Sequence, residues 1–231
     1  RWRIGQKCDE ASALIPHEDL RLLAEFEVAD EFVLEPGDML YVPPGIAHEG
    51  IAIGDDCMTY SIGFRAPSRA DLVDGFSEHI LDALSEDDRF GDAALTRQDN
   101  PGEITPAALD SLHQMVMERM ADHAEFARWF GKNNSAPKYP DIDWTPDEEM
   151  TAADARAALQ GAAAIIRNPA SRFAFIKRAD GLTLFVDGDA HECVGEAAEF
   201  ARRLCAGPVL HLHESRVSDG IVDLAIALCG R

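Results

Sequence analysis

His48 is the side chain whose setting in this sequence comes nearest to a built site. It closes the run Leu34-Glu35-Pro36-Gly37-Asp38-Met39-Leu40-Tyr41-Val42-Pro43-Pro44-Gly45-Ile46-Ala47-His48-Glu49-Gly50. Pro-Gly-Asp makes a tight turn into a strand over Met39 to Val42. Pro-Pro-Gly then ends that strand and turns the chain so that the imidazole opens the next one. Side chains alternate along a strand, so His48, Gly50 and Ala52 share a face on which the neighbours are small. An imidazole beside a small-walled cavity suits a metal and a co-substrate. A lone histidine satisfied by core hydrogen bonds is the plainer alternative, and the turn–strand–turn frame shifts the reading towards a ligand. Downstream, Thr59 and Ser61 share one strand face while Met58, Tyr60 and Ile62 share the other. Two hydroxyls on an inward face would hydrogen-bond a small polar ligand, and on an outward face they merely decorate a half-exposed strand. Arg65 has the same parity, at the strand end where a structural salt bridge is expected. His211-Leu212-His213-Glu214 puts two imidazoles on one strand face, but with no third ligand evident it reads as a solvated edge. His79, His113 and His123 read as surface residues on helices.

These groups need elements to position them. Residues 1 to 66 carry strand signals: the alternating Arg1-Trp2-Arg3-Ile4-Gly5, runs at Leu22 to Val28 and Phe32 to Leu34, then Met39 to Val42, Ile51 to Ile53 and Met58 to Phe64. Short strands at this spacing suggest a small barrel or sandwich. Helical spacing begins at Ser68, which forms a capping-box pattern with Asp71 ahead of Leu72, Val73, Phe76, Ile80, Leu81 and Leu84. Thr105-Pro106 starts a second helix with the apolar stripe Leu109, Leu112, Val116 and Met120, which Phe126, Trp129 and Phe130 extend. Residues 132 to 146 read as a linker. A short helix from Thr151, a meander over Phe173 to Cys193, a helix over Ala197 to Cys205, a strand over Val209 to Leu212 and a helix over Ile221 to Leu228 fit a winged-helix-like module.

Composition excludes several classes. The hydrophobic fraction of 46% can build a core, and no apolar run approaches the ~18–20 residues of a membrane span. The net charge is −21, which repels phosphate backbones and anionic lipid heads and favours a basic partner. Residues 145–231 hold 9 basic and 13 acidic side chains, a net −4, so the winged-helix-like end is not expected to bind DNA. The five cysteines form no C-x-x-C pair and read as reduced thiols of a cytoplasmic protein. Acidic runs such as Glu86-Asp87-Asp88 and Asp147-Glu148-Glu149 read as solvated loops.

The run from Glu35 to Gly50, followed by Tyr60-Ser61-Ile62-Gly63-Phe64-Arg65-Ala66-Pro67, resembles the JmjC-type ribosomal oxygenases of bacteria. The opening Arg1-Trp2-Arg3-Ile4-Gly5, the Trp129-Phe130-Gly131 of the helical middle and the winged-helix end follow the same family plan, although the motif match lies in the first 67 residues. The resemblance implies an α+β chain: the C-terminal part of a cupin-like double-stranded β-helix (JmjC) over 1–66, a helical dimerisation region over 67–144 and a winged-helix-like domain over 145–231. It implies an Fe(II)- and 2-oxoglutarate-dependent dioxygenase, homodimeric, hydroxylating an arginine of a basic large-subunit ribosomal protein at C3. Family members hold iron with an H-x-D pair and a distal histidine. His48 corresponds to the distal histidine, and the pair is expected upstream of the strand that opens at Arg1. The family's basic residue for the far carboxylate of 2-oxoglutarate falls at Arg1 or just before it, with Arg3 on the same strand face. Thr59 and Ser61 are the hydroxyls expected beside the co-substrate. The alternative is a non-catalytic cupin-plus-winged-helix interaction module, which is how a chain without the H-x-D pair behaves. A winged-helix transcription regulator suffers from the net −4 of residues 145–231.

Overall fold

The computed structural model describes residues 1–17, 21–63, 66–91, 97–138, 141–142, 150–212 and 217–229. They form two compact units, Arg1–Ala66 and Pro67–Arg231.

In the first unit β1 (Trp2–Lys7), β2 (Leu14–Ile15), β3 (Leu22–Leu23), β4 (Val28–Phe32) and β5 (Ile46–Gly50) are the strands among the described residues. β1 is central in an antiparallel sheet of order β4-β1-β5, and β2 pairs with β3. Opposite residues share a face, so the register Trp2↔Gly50, Arg3↔Glu49, Ile4↔His48 on one side and Trp2↔Phe32, Arg3↔Glu31, Ile4↔Asp30 on the other sorts the side chains. Trp2, Ile4, Asp30, Phe32, His48 and Gly50 stand on one face. Arg3, Glu31 and Glu49 stand on the other.

The strands expected over Met39 to Val42, Ile51 to Ile53 and Met58 to Phe64 are absent among the described residues. A strand persists only where neighbours satisfy its N–H and C=O groups. Both edges of β1 are already taken, and 33–45 and 51–63 find no ladder among the described residues; Ile51 exchanges two backbone hydrogen bonds with Arg1, at 2.8 and 2.9 Å, and the Gly45 carbonyl accepts one from Cys8 at 2.6 Å. Their apolar side chains stand in solvent, Met39 91% and Tyr60 86% exposed. Phe64 and Arg65 lie outside the described residues.

The second unit opens with α1 (Arg69–Ala83), whose N-cap Ser68 and Asp71 form the expected reciprocal capping box. α2 (Pro106–Met120) starts at the N-cap Thr105 with proline in its first turn. The stripe expected to run on to Phe130 is broken at Ala121. Asp122 caps a separate α3 (His123–Ser135) through the N–H groups of Ala124 and Glu125. Phe76 and Ile80 of α1 pack with Trp129 of α3, and Phe126 meets Phe76 edge-on at 5.1 Å. α2 buries none of its side chains.

The rest of this unit runs α4 (Ala152–Gly161), β6 (Ala164–Ile166), β7 (Phe173–Arg178), β8 (Gly181–Val186), β9 (Asp189–Val194), α5 (Gly195–Ala206), β10 (Val209–His211) and α6 (Asp219–Cys229). β7-β8-β9 is an antiparallel meander, and β10 pairs with β6. Asp187 and Gly188 both have positive φ, as a two-residue hairpin turn requires. The core joins Leu184 and Val186 of β8 to Phe200, Ala201 and Leu204 of α5 and Ile221, Val222 and Leu224 of α6. Each large apolar side chain so buried contributes about 1.5–3 kcal/mol.

α3 is fastened to this meander. A Cβ on Gly131 would stand 2.3–2.5 Å from the Phe185 ring, so only glycine admits the approach. Ser135 Oγ accepts the Gly188 N–H at 3.2 Å, and Arg128 Nη1 donates to Glu192 at 2.8 Å. Glu192 also accepts from Thr183 at 3.0 Å and pairs with Arg178. The helical stretch and the C-terminal module thus fold as one body.

Candidate functional site

His48 sits in the middle of β5, opposite Ile4, with its side chain exposed. Its Nδ1 lies 3.0 Å from the carbonyl oxygen of Ile46. A carbonyl only accepts, so Nδ1 carries the hydrogen, and in the neutral ring the lone pair is then on Nε2. This is the usual arrangement of a metal-ligating histidine, in which a backbone carbonyl fixes the ring through the nitrogen that does not bind. His48 therefore fits one position of a metal centre. Among the described residues no group of three His, Cys, Asp or Glu side chains is gathered that could hold an ion. The sequence does spell H-x-D once, at His17-Glu18-Asp19, which an expectation of the pair upstream passes over. His17 is exposed in the residues after β2, and Glu18 and Asp19 lie outside the described residues.

The opposite face of the sheet is ionic. Arg3 Nε donates to Glu31 at 2.9 Å and its Nη1 to Glu49 at 3.3 Å, so one guanidinium bridges all three strands. The bond to Glu31 is the largest cause raising the Arg3 pKa above its ordinary value. Arg1 Nη1 stands 3.7 Å from the same Glu31 carboxylate. Both arginines are thus engaged on the face away from His48, and the sheet does not bring Arg1 and His48 together. Alternation pairs Arg1 with Arg3, but only the register Ile4↔His48 tells which face the histidine takes. Thr59 and Ser61 are exposed and belong to no strand, so the shared inward face expected for them is not formed.

Sequence reasoning places Gly50 on the His48 face but passes over Trp2 and the Ile46 carbonyl, which with Gly50 frame the imidazole. An aromatic residue on the same face as the histidine is the one signal in the sequence for them. At the other end of the chain the backbone oxygen of His211 accepts from Arg203 at 2.7 Å, while His213 and Glu214 lie outside the described residues. His79 stands 3.7 Å from Glu125, linking α1 to α3.

Residues 1–72 match the JmjC domain family and residues 118–229 the ROXA-like winged helix family. The second match begins at the end of α2 and takes in α3, as the packing of α3 on the meander requires. The chain is 34% identical over 154 residues to the ribosomal protein uL16 3-hydroxylase of Escherichia coli (strain K12), which covers 64% of this chain and 41% of that protein. The chain thus spans less than half the length of this curated relative. It is similar to the solved structure of YcfD, a ribosomal oxygenase from Escherichia coli in complex with cobalt and 2-oxoglutarate, with a TM-score of 0.77 and 25% identity over 100% of this chain and 59% of that one. The same protein in complex with cobalt and succinic acid gives a TM-score of 0.72 with the same identity and coverage. Residues 1–72 thus belong to the JmjC domain family and residues 118–229 to the ROXA-like winged helix family, and the chain as a whole is similar to bacterial ribosomal oxygenases.

Proposed function

We propose that this chain takes part in the Fe(II)- and 2-oxoglutarate-dependent hydroxylation of an arginine side chain in a large-subunit ribosomal protein. The observation that carries this reading is His48. It lies in the segment matched to the JmjC family, with Nδ1 engaged by its own strand and Nε2 open. His48 supplies one donor of the metal centre, and the remaining donors come from outside the described residues. When bound, iron supplies the oxidation in which O2 and 2-oxoglutarate are consumed, CO2 and succinate leave, and one oxygen atom enters a C–H bond. This chain's own residues hold and aim. The Ile46 carbonyl keeps the imidazole in one tautomer. The Arg3 bridge to Glu31 and Glu49 fastens the strand that carries His48 to its neighbours. Thr59 and Ser61 offer exposed hydroxyls to the co-substrate, whereas Arg1, held at Glu31, is left out of this assignment. A net charge of −21 draws a basic ribosomal protein to the surface, in the cytoplasm where such proteins are found.

The same reading takes the protein as a homodimer joined through its helices. Leu109, Leu112 and Val116 follow one another at helical spacing on α2, and all are exposed, Val116 at 60%. A stripe of this kind marks an interaction surface, and a second copy is its natural occupant.

The test is to supply Fe(II), 2-oxoglutarate and a uL16 peptide to the protein carrying its complete set of metal ligands and to its His48→Ala variant. Succinate release and a one-oxygen mass gain on arginine are expected from the first and lost in the second. Hydroxylation that survives His48→Ala refutes the ligand role, and a gain on another residue type refutes the arginine.

A further inference from the structure

One pair of residues builds the floor beneath His48. Trp2 of β1 stands directly opposite Gly50 of β5. Its six-membered ring covers the place a side chain would occupy: a Cβ on Gly50 would lie 3.1 Å from both Cη2 and Cζ2 of the indole and 3.3 Å from Cζ3. The same ring system is 6.0 Å, centroid to centroid, from the His48 imidazole, with the planes inclined at 34°. That separation is within the range where aromatic rings contact each other.

A histidine side chain has two torsions and two neutral tautomers to settle. The Ile46 carbonyl, at 3.0 Å from Nδ1, settles the tautomer and draws the ring toward its own strand. It leaves the ring free to swing about the hydrogen bond, because His48 is exposed and one contact does not fix two torsions. The indole supplies the second contact. Trp2 approaches this closely because position 50 has no side chain. An alanine there would have to push the indole by a few tenths of an ångström or lift the edge of β5.

We propose that Trp2, seated on Gly50, is a positioning residue for His48. With the Ile46 carbonyl it holds the imidazole as the Nδ1–H tautomer in one rotamer, Nε2 facing outward. The functional meaning of this inference rests on His48 being a metal ligand, but the geometry it asserts does not.

The experiment therefore needs no metal. The chain is labelled with 15N-histidine and studied at pH 8.5, where long-range 1H–15N correlations report which ring nitrogen carries the hydrogen. His48→Gln assigns the signals. In the unsubstituted chain His48 is expected as a single Nδ1–H population. In Trp2→Ala the ratio of that form to the alternatives falls about two- to tenfold, the range set by one aromatic contact. Trp2→Phe restores most of it. Because Trp2 also lies opposite Phe32 and its loss could unsettle the sheet, Gly50→Ala provides the second arm, displacing the indole without removing it. It is expected to shift the His48 signals while the amide spectrum of β4, read on a uniformly 15N-labelled sample, stays in place. An unchanged His48 pattern in Gly50→Ala and Trp2→Ala overturns the inference, as does a Trp2→Phe chain that behaves like Trp2→Ala. Turnover surviving His48→Ala would defeat the ligand reading and leave the tautomer result standing, so the two failures are told apart.

Discussion

Gly131→Ala asks whether α3 is held to the meander by one close approach. The added carbon would meet Cζ, Cε2 and Cε1 of Phe185 at 2.3, 2.4 and 2.5 Å, whereas carbon atoms rest at about 3.5–4.0 Å. The ring must retreat by about an ångström, yet Phe185 is 1% exposed and has no open side to move into. Overpacking of this kind costs about 1–3 kcal/mol. Alanine in place of a mid-helix glycine returns about 1 kcal/mol. With three ring atoms blocked the steric cost falls in the upper part of its range, leaving a net loss of about 1–2 kcal/mol. For a unit of this size that lowers the melting midpoint by about 2–8 °C. Thermal unfolding followed by near-ultraviolet dichroism reads it. Phe185→Leu removes the ring tip, so in that background Gly131→Ala should cost less than it does alone, a coupling that a double-mutant cycle isolates. An alanine chain as stable as the glycine chain, with no coupling to position 185, would show that α3 is free to slide and that the approach does not hold it.

The acid limb of stability is expected to report on His191, whose pKa burial lowers and whose Nε2 is buried with no hydrogen-bond partner among the described residues. The unfolded chain takes up this proton at higher pH than the folded one. The stability concerned is therefore complete above the ordinary histidine range, about pH 6.5, and is lost as pH falls towards the folded value. His191→Phe should flatten that slope in urea titrations at pH 5 to 7, and an unaltered slope would clear His191. Leu112→Glu with Val116→Glu places charge in the exposed stripe of α2 and should convert a dimer to a monomer in sedimentation at micromolar concentration; an unchanged dimer would place the contact elsewhere. The chain should leave duplex DNA unshifted in gels at low salt, because a surface of net charge −21 gains no counterion-release term, and a steeply salt-dependent complex would contradict this.

Helix starts are legible in this sequence because a cap is a local event. Ser68 with Asp71, Thr105 with the N–H of Ala108 and Thr151 with Asp154 each satisfy an N–H group within one turn, and each begins a helix. The break at Ala121 is less legible, since apolar spacing runs through it and only the Asp122 cap marks it. Strands depend on partners that alternation cannot name. Met58, Tyr60 and Ile62 carry the period of a strand, yet without a ladder they remain unpaired in solvent. At the site, turn chemistry brings out His48, because Pro-Pro-Gly acts on its own neighbours. The face His48 shares with Trp2 follows from a register between residues almost fifty positions apart, and the one Arg1 shares with Glu31 from a register between residues about thirty apart. The engagement of Gly131 by Phe185 is a packing contact over a similar distance in sequence, which no local pattern announces.

The fastening of α3 also bears on how the polypeptide can be divided. A protease that nicked the backbone between Ile142 and Met150 would sever the covalent path from α3 to α4 while leaving Gly131 on Phe185, Ser135 on Gly188 and Arg128 on Glu192 untouched. The two pieces would stay associated through that seam and migrate together on a sizing column until denaturant parted them. A C-terminal piece cut after α3 would need the other fragment to cover the Phe185 ring, whereas one cut before α3 would carry its strut with it and keep that ring covered. The smallest portion of this chain that folds around the wing therefore begins at Asp122, not at the proline-rich stretch where composition alone would cut it.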